Sequence, residues 1–193
     1  MKYLRSILFI LFCVFLIWLF VMLIRSAFRG SNNTTVAPTQ SLTNYARDDS
    51  QVEMYVDGPI IVNQEHQAMR IIVDRTQSQI QILTGYDGQV TSQRTYPNTA
   101  DSYANFLASL DTAGFLKGST KENTTPEQGK CPLGSRYIFT LHNSNALIGR
   151  NWATSCGGGS YDGKPGLARQ LFVRQVPERD YYDLTQTLSL QSL

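Results

Sequence analysis

The sequence predicts an α+β fold: an amino-terminal transmembrane helix, then one antiparallel sheet of about five strands packed with two helices. Three observations in the 193 residues carry this expectation. An uncharged apolar run opens the chain, period-two segments separated by turn residues fill its middle, and two stretches of helical period interrupt and follow them.

The apolar run is ILFILFCVFLIWLFVMLI, Ile7 to Ile24, without a charge, a glycine or a proline. Eighteen residues at 1.5 Å rise each cover about 27 Å, close to the ~30 Å hydrocarbon core of a bilayer. A cleaved signal peptide has a shorter apolar core and small residues at its cut site; here Arg25 and Arg29 follow the run. Residues 1–30 therefore read as an uncleaved signal anchor whose partner is the lipid bilayer. Lys2 and Arg5 flank one end and Arg25 and Arg29 the other, so the positive-inside rule barely discriminates. Cysteine usage breaks the tie. Cys13 lies in the span, whereas Cys131 and Cys156 lack metal-ligand spacing and fit an oxidising compartment. The expected localisation is the cell membrane, single-pass, with the carboxy-terminal domain outside the cytoplasm.

The formal net charge of +2 is misleading if read whole. Lys2, Arg5, Arg25 and Arg29 account for +4 in residues 1–31, which hold no acid; the rest has 13 bases and 15 acids, or −2. That part has no run of lysine or arginine, so the footprint of a nucleic-acid binder is missing.

Residues 31–50, SNNTTVAPTQSLTNYARDDS, are polar and without period and read as a flexible tether. Residues 51–193 are enough chain for one extracytoplasmic domain with a sizeable core. AMRIIVDRTQSQIQILTGYDGQVTSQRTYPN reads as an antiparallel meander, with Met69, Ile71 and Val73, then Ile80 and Ile82, as alternating apolar positions. Asp87-Gly88 marks a tight hairpin, and Pro97 stops the third strand. In DSYANFLASLDTAGF the period changes. A helix from Ser102 to Ala113 would be capped by Asp101 or Ser102, show a Tyr103, Phe106, Leu107 and Leu110 stripe, and stop at Gly114. SRYIFTLHN and NALIGRNWAT read as two further strands around HNSNA. GLARQLFVRQV sets Leu167, Leu171, Phe172 and Val176 at helical spacing until Pro177, and YYDLTQTLSL is open between helix and strand.

The chemistry turns on WATSCGGGSYDG, Trp152 to Gly163. One reading joins Cys156 to Cys131. KCPLG precedes the fourth strand and TSCGG follows the fifth, so a hairpin would bring its outer ends to the ~4.8 Å strand spacing, within disulfide reach. Closing that loop would stabilise by about 3–4 kcal/mol in the chain-entropy model. Two other readings make Cys156 a thiolate. ATSC faintly resembles the TLxTC motif of sortases, and Arg169 follows at about the distance of the sortase arginine; but the motif leucine is absent, and His66 and His142 are the chain's two histidines. RIIVDRTQSQIQIL resembles the opening strands of L,D-transpeptidases, with His142 upstream of Cys156, yet their Ser-His-Gly-Cys signature is TSCGGG here. The resemblance to such thiol enzymes implies Cys156 as nucleophile, Arg169 as oxyanion or substrate clamp and His142 as base. Without a neighbouring base a cysteine keeps a pKa near about 8.5 and is mostly thiol at neutral pH. The disulfide reading is preferred.

Other candidates fail the same test. GGGSYDGKPG lacks the Gly-Lys-Ser/Thr ending of a phosphate loop. Glu178, Asp180 and Asp183 lack calcium-ligand spacing, and His66 and His142 lack the company a zinc site needs. No metal or cofactor is expected.

Cys131, Pro132, Gly134, Arg136 and Tyr137, then Trp152, Cys156 and Gly157, then Leu171, Phe172, Gln175 and Pro177 form an arrangement similar to that of an uncharacterised group of small bacterial membrane-anchored extracytoplasmic proteins. The resemblance covers about the last third of the chain and implies no activity. The functional expectation is a non-enzymatic envelope protein that binds another envelope protein or a wall component. Trp152, Tyr161, Tyr181 and Tyr182 are the candidate contact surface, because aromatic residues dominate interface hot spots.

Overall fold

A computed structural model describes residues 41–186 and the single position Phe15. The expected membrane span therefore lies, but for Phe15, outside the described residues; among the described residues no helix is long and apolar enough to cross a membrane. The chain divides into two units, Met1–Thr39 and Gln40–Leu193, and the sheet and its helices belong to the second.

The fold is α+β, built on one antiparallel sheet of six strands. Its strands are β1 (Ser50–Asp57), β2 (Gln67–Val73), β3 (Gln77–Thr84), β4 (Gln89–Pro97), β5 (Arg136–Asn143) and β6 (Ala146–Thr154). Their spatial order is β4-β3-β2-β1-β5-β6. The expectation of about five strands omits β1, which stands between β2 and β5 at the middle of the sheet. In SQVEMYVD the even positions Val52, Met54 and Val56 are fully buried while the odd ones are half-buried, the period-two signature of a strand with one covered face. Met54 lies opposite Ile71 on one side and Phe139 on the other, so β1 ties the amino-terminal meander to the carboxy-terminal hairpin.

The expected tether also ends sooner than residue 50. Leu42–Arg47 forms a 3-10 helix in which Leu42 and Tyr45 are buried. Asp111 holds it, accepting from Ser41 Oγ at 2.7 Å and Leu42 N at 3.3 Å. Two large apolar side chains in an otherwise polar run, Leu42 and Tyr45, join the core.

Helices cover one face of the sheet. Helix α1 (Ala100–Thr112) buries Tyr103, Phe106, Leu107 and Leu110, the expected stripe. Its cap is Thr99 rather than Asp101 or Ser102: Thr99 Oγ1 accepts from Ser102 N at 3.2 Å. Helix α2 (Pro165–Val173) buries Ala168 and Phe172, and Phe106 and Phe172 meet edge to face at 5.2 Å. Leu167, expected in the apolar stripe, is exposed, and Val176 is buried beyond the helix end. Of YYDLTQTLSL, Tyr181 to Thr185 belong to a third helix, α3 (Glu178–Thr185), while residues 187–190 lie outside the described residues. Its Asp180 accepts from Arg94 and, at 2.9 Å, from Tyr96 of β4. Isolated pairs Thr120–Arg150 and Ala153–Gly159 cover the β6 edge, protecting backbone groups that an open edge would leave unpaired.

Candidate functional site

The two cysteines come together. Cys131 and Cys156 sit 25 residues apart with Sγ–Sγ 1.95 Å and Cα–Cα 5.7 Å, a disulfide. The surrounding sequence is explained by this junction. Gly134 faces the bridge so closely that a Cβ would collide with Ser155 Oγ and come within 2.6 Å of Cys131 Sγ. Pro132 offers its carbonyl to Ile60 N at 2.8 Å. Arg136, 2% exposed, donates from Nη1 to the Lys130 and Cys131 carbonyls at 3.2 and 3.4 Å, from Nη2 to Gly58 O, and from Nε to Asp57 at 2.8 Å. The Cys-Pro-x-Gly-x-Arg stretch thus has a folding role in full.

The alternative thiol site is not assembled. The Cys156 sulfur is bonded to Cys131. Arg169 of α2 donates to the Tyr137 hydroxyl at 3.1 Å and stacks over that ring, on the helix-covered face. His142 lines the opposite face. The candidate aromatic surface is also dispersed. Tyr161 is a core residue, 8% exposed, with edge contacts to Phe115 and Phe139; burial pushes its phenol pKa well above the ordinary value. Trp152 and Tyr181 are half-buried, and Tyr182 is exposed on α3.

What the fold does build is a cleft of about 660 Å³ on the face the helices leave open. Alternation sets its floor. With Val52, Met54 and Val56 in the core, Glu53, Tyr55 and Asp57 must point the other way, and Arg70, Arg136, Ile138, Thr140, His142 and Arg150 join them from neighbouring strands. One wall is the β1–β2 loop with Ile60 and His66, braced by Tyr86; the other is the segment from Asn123 to Gly129. His66 is a brace rather than a lone polar group. It is 1% exposed, holds Asp57 at 2.9 Å and the Pro59 carbonyl at 3.1 Å, and stacks on Tyr86 at 4.0 Å.

Three carboxylate–arginine pairs set the electrostatics: Glu53–Arg70 at 3.4 Å, Asp57–Arg136 at 2.8 Å and Glu127–Arg150 at 2.5 Å. Acid and base balance, so the cleft is neither a cation trap nor an anion trap as a whole. Burial raises the Glu53 carboxyl above its ordinary value, an effect that Arg70 and then His142 partly offset. Burial, followed by the Asp57 charge, lifts the Tyr55 phenol to about 12. Among the described residues no group of three or more His, Cys, Asp or Glu is placed to hold a metal ion. The chemistry on offer is oriented hydrogen bonding, with donors from arginine and acceptors from carboxylate, suited to holding a polar ligand. Glu53, Arg70, Glu127, Thr140 and Arg150 escape sequence reasoning; the alternation of V-E-M-Y-V-D is the one local signal toward them. No family model matches this chain, and no curated protein matches it.

Proposed function

We propose that this chain is a membrane-anchored extracytoplasmic binding protein, akin to the small bacterial anchored proteins it resembles, and that it binds a polar envelope or wall ligand in the open-face cleft. The apolar run Ile7 to Ile24 supports the anchor, and a disulfide supports an oxidising compartment. The observation supporting the binding site is the cleft itself: a face of the central strands carrying three buried or half-buried ion pairs, where a solvated sheet face needs only scattered polar groups. A photo-crosslinking side chain placed at Tyr55, in the full chain in its own membrane, tests this. Adducts should form with an envelope component and be lost on Arg70→Glu, while the same probe at Tyr182 should give none of them. Adducts from Tyr182 alone would refute the cleft. Protease added to spheroplasts should remove the domain if it lies outside the cytoplasm.

A further inference from the structure

The three arginines of the cleft are not held alike. Arg70 and Arg136 meet carboxylates of β1, the strand beside each of them in the sheet. Arg150 is held differently. Its registered partner on β5 is Thr140, and among the described residues the carboxylate on it comes from outside the sheet, from Glu127 in the segment TKENTTPEQGK, residues 120–130. This segment is a strap. It is fastened at one end by the Thr120–Arg150 backbone pair and at the other by Arg136 on the Lys130 carbonyl and by the disulfide. Between residues 117 and 134, Glu127 alone is buried.

The contact that holds the strap down is half made. Arg150 Nη2 donates to Glu127 Oε1, but Arg150 Nη1, Glu127 Oε2 and Thr140 Oγ1 are buried with no hydrogen-bond partner among the described residues. Arg150 and Glu127 are 5% and 6% exposed. A buried pair with unmet donors and acceptors gives back little of its desolvation cost, in contrast to Arg136, whose three nitrogens are all engaged. The free Nη1 of Arg150 and the free hydroxyl of its registered neighbour Thr140 are a further N–H and O–H donor in the same cleft. With Glu127 displaced, the guanidinium has both Nη atoms for a carboxylate, which takes two parallel N–H donors.

We propose that Arg150 and Thr140 form a carboxylate-binding site within the cleft, and that Glu127 is a built-in occupant which a ligand carboxylate displaces, lifting the strap. This rests on the cleft being the binding site. The site takes the free carboxylate of a peptide end or of an acidic sugar; the exchange is one carboxylate for another on the same arginine, so the charge of the floor is unchanged.

The test uses the full chain in detergent and three probes: N-acetyl-alanyl-alanine, its carboxamide and glucuronate, with inorganic phosphate as a further anion. Glu127→Gln removes the competing charge and should tighten binding of a carboxylate probe by about tenfold, since charge-assisted hydrogen bonds are roughly twice as strong as neutral ones. The double variant Glu127→Gln/Arg150→Met should bind neither carboxylate, and the carboxamide should not bind at all. Preference between the peptide acid and glucuronate identifies the source. On the unaltered chain, a saturating carboxylate should speed amide hydrogen exchange across residues 121–130, a readout independent of whether any variant folds. Equal affinity of wild type and Glu127→Gln, equal binding of acid and amide, phosphate bound as tightly as either carboxylate, or unchanged exchange in the strap would each overturn the assignment. If these fail while Arg70→Glu still abolishes cross-linking at Tyr55, the cleft stands and the carboxylate site falls.

Discussion

Asp57 and Arg136 face each other across the β1–β5 ladder, Oδ2 to Nε at 2.8 Å, as registered partners. The other Arg136 nitrogens donate to the carbonyls of Gly58, Lys130 and Cys131. One guanidinium therefore joins the exit of the central strand, the end of the strap and one half of the disulfide. Removing the guanidinium leaves Asp57 to His66 alone and takes the donor from three carbonyls, at a cost of about 3–5 kcal/mol. Arg136→Met should lose that much in denaturant unfolding of the full chain. Arg136→Lys should recover little, because a single ammonium cannot reproduce a fork that serves four acceptors. A loss below about 1 kcal/mol for the methionine variant would contradict this role.

Gly134 is a packing requirement, not a conformational one. A methyl group there would meet Ser155 Oγ and Cys131 Sγ. Ser155 Oγ is already committed to Ser135 N at 2.9 Å, and the sulfur is fixed by its bond to Cys156. Gly134→Ala should therefore destabilise by about 1–3 kcal/mol, the range for overpacking a filled site. Gly129→Ala, where a Cβ meets nothing within 4 Å among the described residues, tests backbone conformation separately, since Gly129 has φ 73°. A neutral Gly134→Ala would show that the bridge region yields.

Glu53 makes stability depend on pH in the direction opposite to most carboxylates. Burial, the largest cause, raises its folded-state value above the ordinary 4.5, so in the window between the two the folded state binds more protons than the unfolded state. Stability from this group is full below about 4.5 and is lost as pH rises through the raised value. Glu53→Gln should remove that fall and leave the protein more stable than wild type at neutral pH. Urea unfolding at stepped pH measures it. A wild-type stability that climbs through this window, with Glu53→Gln abolishing the climb, would reverse the assignment.

The sequence shows the parts whose signal is local. Tyr103, Phe106, Leu107 and Leu110 recur at helical spacing and all four are buried in α1; Met69, Ile71 and Val73 alternate and all three are buried in β2. The disulfide follows from where the β5–β6 hairpin places its ends. The strand β1 is harder to see because a polar run leads into it, and its boundary is set by Leu42 and Tyr45 docking at a distance in sequence. The cleft is harder still. Glu53, Arg70, Thr140 and Arg150 come from four strands, and Glu127 from the segment outside the sheet. Which strands become neighbours, and so which side chains share a face, is a tertiary outcome that no single stretch displays. The aromatic residues mislead for a related reason: Tyr161 sits in a glycine-rich loop yet turns its ring into the core against Phe139.

The disulfide gives the sharpest discrimination between a structural and a catalytic Cys156. In a bridge neither cysteine is special, so Cys131→Ser and Cys156→Ser should behave alike. For a 25-residue separation, each should lose about 3–4 kcal/mol in the chain-entropy model. The double variant should lose little more than either single one, because both singles have already opened the same loop. A nucleophile would give the opposite pattern, with a stable fold after Cys156→Ser and a mild effect of Cys131→Ser. The bridge also fixes the end of the strap next to Arg136, so reduction should speed hydrogen exchange across residues 121–130 along with lowering the unfolding midpoint. An unfolding midpoint that does not move on reduction would rule the bridge out as a stabilising element.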